Sequence, residues 1–422
     1  MKSWIENENW SEVMNVKTPD EKADMLHNMV KSKLDETCPE KTTKVASDDQ
    51  PWYTEQLKRL DRRRRREYKK NRKSDKYKAI KKLYDTKVTI AKKKFKSKMI
   101  DDVLTSRDKE WYSKLKRITN YDQRKSETFQ VDEISDMTDD EQVEAIATAF
   151  SAISNEYEPV NRKEIDIPPH NPSTLPQFKP YQVRRYLEKI KANKSTAKGD
   201  IPAKIIKEFA QYLCIPVCNI INTSLSCGVW PKIYKQEVIT PIPKQYPSET
   251  LEMLRPISNL CNMNKIMEKI ISELVVDDMR LNLDPSQYGN RKYLSIQHYL
   301  VRLLHRILTS VDKNCKGEIN AVLCMFVDWK QAYSRQCHTL GVKYFIKNGV
   351  RPALIPLLIS YFEDQQMKVK WRGKLSKSRN LPGSGAMGAN LGNWEFLSQT
   401  NDNADCIPAN DRFKFVNDLS TI

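Results

Sequence analysis

The chain has 422 residues, 39% hydrophobic and 30% charged, and a formal net charge of +18. That length suffices for two or three domains with their own cores, and the apolar fraction excludes a wholly disordered chain. No uninterrupted apolar run approaches the roughly 20 residues of a membrane helix, and the N-terminus lacks the apolar core of a signal peptide; the expectation is an intracellular protein, nuclear or cytoplasmic, with no membrane partner.

Residues 1–50 read as a helical N-terminal segment, with Ala23, Leu26, Val30 and Leu34 recurring on one helix face. Residues 51–120 hold 26 Lys or Arg against 9 Asp or Glu, so nearly the whole net charge lies in one segment. The pattern predicts two or more long basic helices over 54–118. Such a block attracts polyanions by counterion release, with Arg62, Arg63, Arg64, Arg65, Arg66, Lys92, Lys93 and Lys94 as candidate nucleic-acid contacts; a merely solvated charged face is the alternative. The interleaved Leu60, Tyr68, Tyr77, Leu83, Tyr84 and Phe95 either stack on bases or cover the hydrocarbon stems of the cations.

Residues 121–180 turn acidic and then Pro-rich, with Glu158-Pro159, Ile167-Pro168-Pro169 and Leu175-Pro176 breaking regular structure, and are expected to be a linker. Helical patterns follow over 181–225, a strand over 238–242 and a helix over 265–279. The later chain predicts a buried strand over 321–327, a helix over 338–348 and a basic hairpin joining 367–370 to Arg372-Gly373-Lys374. There is no internal repeat.

Nine cysteines, an odd number without repeating spacing, argue for reduced thiols. Cys214, Cys218 and Cys227 lack the second close pair or local histidine of a zinc set. His298 and His305 stand seven apart on one predicted helix, where packing or exposure explains them better than chemistry.

The apolar run 321–327 ends on Asp328. A carboxylate at the end of a buried strand is costly without a cation, which suits a Mg²⁺ ligand; an aspartate capping the next turn is the bland alternative. Further on, Arg412-Phe413-Lys414-Phe415-Val416-Asn417-Asp418-Leu419 reads as strand, turn and strand. Together the two segments match a polymerase palm, where carboxylates from neighbouring strands hold two metals about 3.5–4 Å apart.

From Lys194 onward, a little over half the chain, the motif order resembles that of non-LTR (LINE-type) retrotransposon reverse transcriptases. The resemblance rests on Lys194-Ser195-Thr196-Ala197-Lys198-Gly199-Asp200-Ile201-Pro202, on Trp230-Pro231-Lys232 and the segment 238–244, on Leu254-Arg255-Pro256-Ile257-Ser258, and on Gln287-Tyr288-Gly289-Asn290-Arg291. Pro51-Trp52-Tyr53 and the Arg62 to Arg66 run resemble the family's basic segment ahead of the polymerase, and no endonuclease signature is visible. The resemblance implies an α+β fold, a right-hand polymerase with fingers and a partial palm over 181–422, preceded by the basic helical region and ending before a thumb.

It also implies an RNA-directed DNA polymerase using an RNA template, a DNA primer, dNTPs and two Mg²⁺ ions held by Asp328 and Asp418. Tyr333 takes the role of the gate against a ribose 2′-hydroxyl. Gly383 to Gly392 corresponds to the family's Pro-Gln-Gly loop, with Met387 where Gln is usual and Gly388 allowing close backbone approach. Arg255 and Arg291 either contact template or triphosphate or pair with nearby carboxylates. Asn417 replaces the first aspartate of the usual pair, so it supplies an amide oxygen without charge, and losing such a group costs on the order of 10²- to 10³-fold in rate. The expectation is an impaired copy, with a catalytically inactive nucleic-acid-binding relic, or a structural protein with merely solvated basic helices, as the alternatives.

Overall fold

Two short helices, α1 (Lys2–Asn7) and α2 (Ser11–Asn15), precede α3 (Pro19–Thr37). The last begins where Thr18 accepts from the Glu21 amide and Pro19 takes the first helical position. In this computed structural model, residues 1–39, 50, 52–105, 111, 129–193, 196–197, 199–245, 247–312, 321–384 and 388–422 are described. They divide into two units, Met1–Pro39 with Gln130–Ile422, and Glu40–Phe129. The predicted stripe of α3 is buried, and its Lys22 ammonium donates to Asn219 Oδ1 at 2.6 Å and to the Met14 carbonyl at 2.7 Å.

The second unit is a helical hairpin of α4 (Glu55–Lys70) and α5 (Asp75–Leu104), started by caps from Thr54 and Ser74. Its aromatics pack within the hairpin. Tyr53 and Tyr84 meet through their hydroxyls at 3.2 Å, Tyr68 and Tyr77 pack edge to face, Arg64 lies over Tyr84 and Lys92 lies over Trp52. The expected extension over 106–110 and 112–120 falls outside the described residues.

The stretch expected to be a linker is instead partly built into the first unit. Helix α6 (Asp139–Ser154) starts with a capping box between Thr138 and Glu141 and buries Val143, Ile146 and Ala147. Helices α7 (Pro180–Lys189), α8 (Ala203–Glu208) and α9 (Ala210–Cys227) then cover the region read as helical. Strand β1 (Gln236–Pro243) pairs antiparallel with β2 (Leu254–Leu260), and α10 (Asn262–Met279) and α11 (Ile296–Val311) follow. Cys214 and Cys218 are buried in α9 with their thiols on the Gln211 and Phe178 carbonyls.

Strand β3 (Met325–Asp328) is shorter and more exposed than its sequence suggests. Among the described residues it pairs with one neighbour, at the edge of its sheet, and Leu323, Met325 and Phe326 are exposed. The expectation of a buried strand over 321–327 is therefore corrected: an apolar run marks strand propensity, but burial needs an element on each face. The same holds on α11, whose Tyr299 and Leu303 are buried while Leu300, Val301, Leu304 and Leu308 face outward.

Helices α12 (His338–Lys347) and α13 (Ile355–Phe362) lead to β4 (Gln366–Trp371), β5 (Lys374–Leu375) and β6 (Arg379–Asn380). Strand β4 lies parallel to β1 and antiparallel to β5 and β6, completing a mixed five-stranded sheet. Positive φ angles at Arg372 and Gly373 make the tight turn of the expected basic hairpin. That hairpin explains the acidity before it, because Asp139, Asp140 and Glu144 of α6 pair with Arg372, Lys374 and Arg379. Helix α14 (Asn390–Gln399) and the hairpin β7 (Arg412–Phe415) and β8 (Asp418–Thr421) end the chain, with β3, β8 and β7 forming an antiparallel three-stranded sheet. The architecture is mixed helix and sheet, consistent with α+β. No helix among the described residues is long and apolar enough to cross a membrane.

Among the described residues of the first unit, the carboxylates of Glu237, Glu268, Asp284 and Glu395 are buried. Glu268 accepts from the Tyr361 hydroxyl at 2.7 Å, Asn264 Nδ2 at 3.0 Å and the Asn390 amide at 3.0 Å, tying α10, α13 and the start of α14 together. Glu237 accepts from Ser258 across the β1–β2 pair, and Glu395 meets His338 Nδ1 at 2.9 Å. Burial pushes the carboxyls of Glu237 and Glu268 up to about 7.

Candidate functional site

The β7–β8 turn consists of Val416 and Asn417, and it brings Phe415 opposite Asp418. Val416 has φ +60°, a left-handed conformation that costs a β-branched residue on the order of 1–3 kcal/mol. A positive φ at the first central position is the pattern of a type II′ turn, where glycine is preferred. The surroundings hold it there. Buried Gln287 accepts from the Val416 amide at 2.9 Å and the Gly289 amide at 2.8 Å, and its own amide donates to the Val416 carbonyl at 3.3 Å.

This grip demands a glycine at 289, since a Cβ there would stand 2.4 Å from the Val416 nitrogen. The strand and the loop are stitched further by the Tyr288 amide to the Lys414 carbonyl at 2.8 Å and the Lys414 amide to the Ser286 carbonyl at 2.9 Å. Beneath them Asp284 receives the Lys414 ammonium at 2.7 Å and lies 3.1 Å from Arg412. Burial alone would raise the Asp284 carboxyl, but the hydrogen bond and charge of Lys414, with Arg412, hold it below its usual range. Tyr299 packs against Tyr288 and Phe415, and its hydroxyl meets Ser420 at 2.6 Å.

On this support the register places Asp328 of β3 opposite Asp418 of β8. Both carboxylates are exposed, so the desolvation argument for a cation at Asp328 does not carry over. What remains is their adjacency. The Asn417 amide reaches Asp328 Oδ1 at 3.4 Å, a hydrogen bond that an aspartate at 417 could not donate when ionised.

The other expected site residues divide. Tyr333 is half-buried on Phe396, with ring centroids 5.5 Å apart, and hydrogen-bonds Asn290, so the Gln287–Arg291 loop touches both the hairpin turn and this ring. Arg291 donates to the Asp284 carbonyl at 3.1 Å, which makes it a clasp for its own loop. Arg255 is exposed on β2, in the other sheet. Gly388 has φ +106°, and a Cβ there would meet the Ser258 carbonyl of β2 at 3.9 Å. Met387, with Lys194, Ser195 and Lys198, lies outside the described residues.

No protein-family model matches the chain. It is similar to a curated protein of Drosophila melanogaster named as a probable RNA-directed DNA polymerase from transposon BS, 30% identical over 221 residues, 51% of this chain and 24% of the relative. The chain spans about a quarter of that relative's length.

The residues that sequence reasoning missed are those that position the hairpin. Gln287 and Gly289 were visible as part of a motif, but their grip on Val416 was not. Glu268 gave no signal, because one acid inside an apolar helix reads as a solvated position, yet it fixes the first amide of α14 just beyond Gly388. Among the cations of the other unit, Arg64 and Arg65 bond Asp61, while Arg62, Arg63, Arg66, Lys93 and Lys94 are exposed and Lys92 covers Trp52. His298 and His305 are exposed on α11.

Proposed function

We propose that the chain carries the polymerase part of a non-LTR retrotransposon reverse transcriptase, with Asp328 and Asp418 as its metal-holding carboxylates and Asn417 as the cause of impaired activity. The observation that carries this reading is the β3–β8 register, which sets those two carboxylates opposite each other beside the turn. The donor set fits Mg²⁺, which takes one or two protein carboxylates and completes its octahedron with water and phosphate oxygens. Among the described residues no group of three His, Cys, Asp or Glu is arranged to hold a metal, so substrate phosphates would supply the remaining ligands.

Mg²⁺ bound there would polarise the phosphoryl oxygens and neutralise charge as a primer 3′-hydroxyl displaces pyrophosphate from a dNTP. Asp328 and Asp418 contribute the negative charge that makes binding a divalent ion favourable. Asn417 adds an oxygen donor without charge, and its hydrogen bond to Asp328 competes with coordination. Tyr333, backed by Phe396, presents a ring against the sugar, and Gly388 leaves room for backbone to approach the nucleotide.

The test is extension of a DNA primer on an RNA template with Mg²⁺, comparing the chain with its Asn417→Asp variant, each also joined to the thumb of an active relative. The reading expects a gain on the order of 10²- to 10³-fold from Asn417→Asp. Equal rates with both residues would clear Asn417 of blame. No synthesis by any form, with RNA binding retained, would favour the catalytically inactive relic.

A further inference from the structure

On α4, Arg59, Arg62, Arg63, Arg66, Lys69 and Lys70 recur at intervals of three and four residues, so they form one stripe. All six are exposed, and they line one surface depression. The opposite face is the one that packs, with Leu57 and Asp61 buried. Asp61 draws Arg64, at 2.6 Å, and Arg65, at 2.8 Å, away from the stripe.

Among the described residues, carboxylates reach the stripe at Arg59, Arg62 and Lys70, and Glu67 lines the same depression. Glu55 lies 3.6 Å from Arg59 and 3.9 Å from Arg62, and Glu67 lies 3.6 Å from Lys70. Arg63, Arg66 and Lys69 have no ion-pair partner among the described residues. Over the roughly 16 Å of helix axis from Arg59 to Lys70, cations follow one another about 5–6 Å apart, a spacing commensurate with a row of phosphates.

Affinity for single strands comes largely from bases stacking on aromatic rings, about 1–3 kcal/mol per base. The stripe offers no ring. Tyr53, Tyr77 and Tyr84 are engaged within the hairpin, and Arg72 covers Tyr68. What it offers is charge on a straight, preformed rod, and a duplex supplies the match, with phosphates outside at twice the linear density of one strand and bases turned inward.

We infer that the α4 stripe is a sequence-independent binding surface for the phosphate backbone of a double-stranded nucleic acid. Arg63, Arg66 and Lys69 form its centre, and Arg64 is a structural residue. Duplex RNA, duplex DNA and an RNA–DNA hybrid share this chemistry; that such a duplex is a polymerase substrate rests on the function proposed above.

The experiment measures binding of the full chain to fluorescent duplexes of all three kinds and to single strands of the same sequences, across a fourfold range of salt. One variant combines Arg63→Gln, Arg66→Gln and Lys69→Gln. A second, Lys81→Gln with Lys82→Gln and Lys87→Gln, removes equal charge from exposed positions of α5, and circular dichroism checks helix content in both. The expected result is tighter binding of duplexes than of single strands, equally for unrelated sequences. The stripe variant should lose about 0.9 of salt slope per cation, or roughly 40-fold of salt sensitivity over that range, and the α5 variant much less.

Equal losses in both variants would reduce the effect to net charge and overturn the stripe. Tighter binding of single strands would also overturn it, with the polymerase reading untouched. Conversely, the expected slopes with no primer extension by any form would remove the polymerase reading and leave the stripe standing.

Discussion

Glu237, Glu268 and Glu395 lie buried around the β1–β2 pair and helices α10 and α14, whereas Asp328 and Asp418 stand exposed on the β3–β8 pair. The buried acids are surrounded by donors: the Tyr361 and Ser258 hydroxyls, the Asn264 amide, the His338 ring and a backbone N–H. Among the described residues the exposed acids have few donors, and Asn417 is the one that reaches Asp328. A carboxylate enclosed by the fold and its donors serves packing, and one held at the surface is available to a ligand. Burial, more than the number of hydrogen bonds, separates the two groups, since Glu237 accepts from Ser258 as Asp328 accepts from Asn417.

The comparison is sharpest at Glu268. Glu268→Ala leaves three donors without an acceptor and should lower stability by about 4 kcal/mol in urea unfolding; a loss under about 1 kcal/mol would mean the network does not bind α10, α13 and α14 together. Next comes pH. The folded Glu237 and Glu268 carboxyls sit at about 7, above an unfolded value near 4.5, so folding takes up protons between them. The stability they contribute is whole below about pH 4.5 and is lost as pH rises through about 7, by on the order of 3 kcal/mol per group. Unfolding midpoints at pH 5 and pH 8 should differ in that direction, and Glu237→Gln should flatten the slope.

At the hairpin, Gly289→Ala forces a Cβ against the Val416 nitrogen and should cost about 2 kcal/mol, with faster hydrogen exchange at the Val416 amide. Unchanged exchange there would break the link between the Gln287 loop and the turn. The smallest effect belongs to the open acids: Asp328→Asn and Asp418→Asn should each change stability by less than about 0.5 kcal/mol. A larger loss in thermal unfolding would move them into the structural group.

Much of the fold was legible where one periodicity dominated. The stripe of Ala23, Leu26, Val30 and Leu34, the strand around Ile239 and the strand–turn–strand of Phe413 to Leu419 all emerged from local pattern. Helix α6 was obscured because its acidic first turn looked like connecting chain, although Val143, Ile146 and Ala147 held the helical signal. The exposure of β3 was not readable, since burial depends on partners far along the chain. At the site, Asp328, Asn417 and Asp418 were legible as motif residues, but the register that opposes the two carboxylates and the clasp by Gln287 are tertiary facts.

The contact between α3 and α9 bears on how the protein is made. Lys22 meets an acceptor 197 residues further along the chain. At the roughly 5–20 residues per second of synthesis, α3 waits about 10 to 40 s for α9. Through that interval Ala23, Leu26 and Val30 can pack on Ile5, Trp10 and Val13 just ahead of them, but the side that α9 covers stays open, so this group of helices is a half-built core exposed to chaperones until α9 arrives.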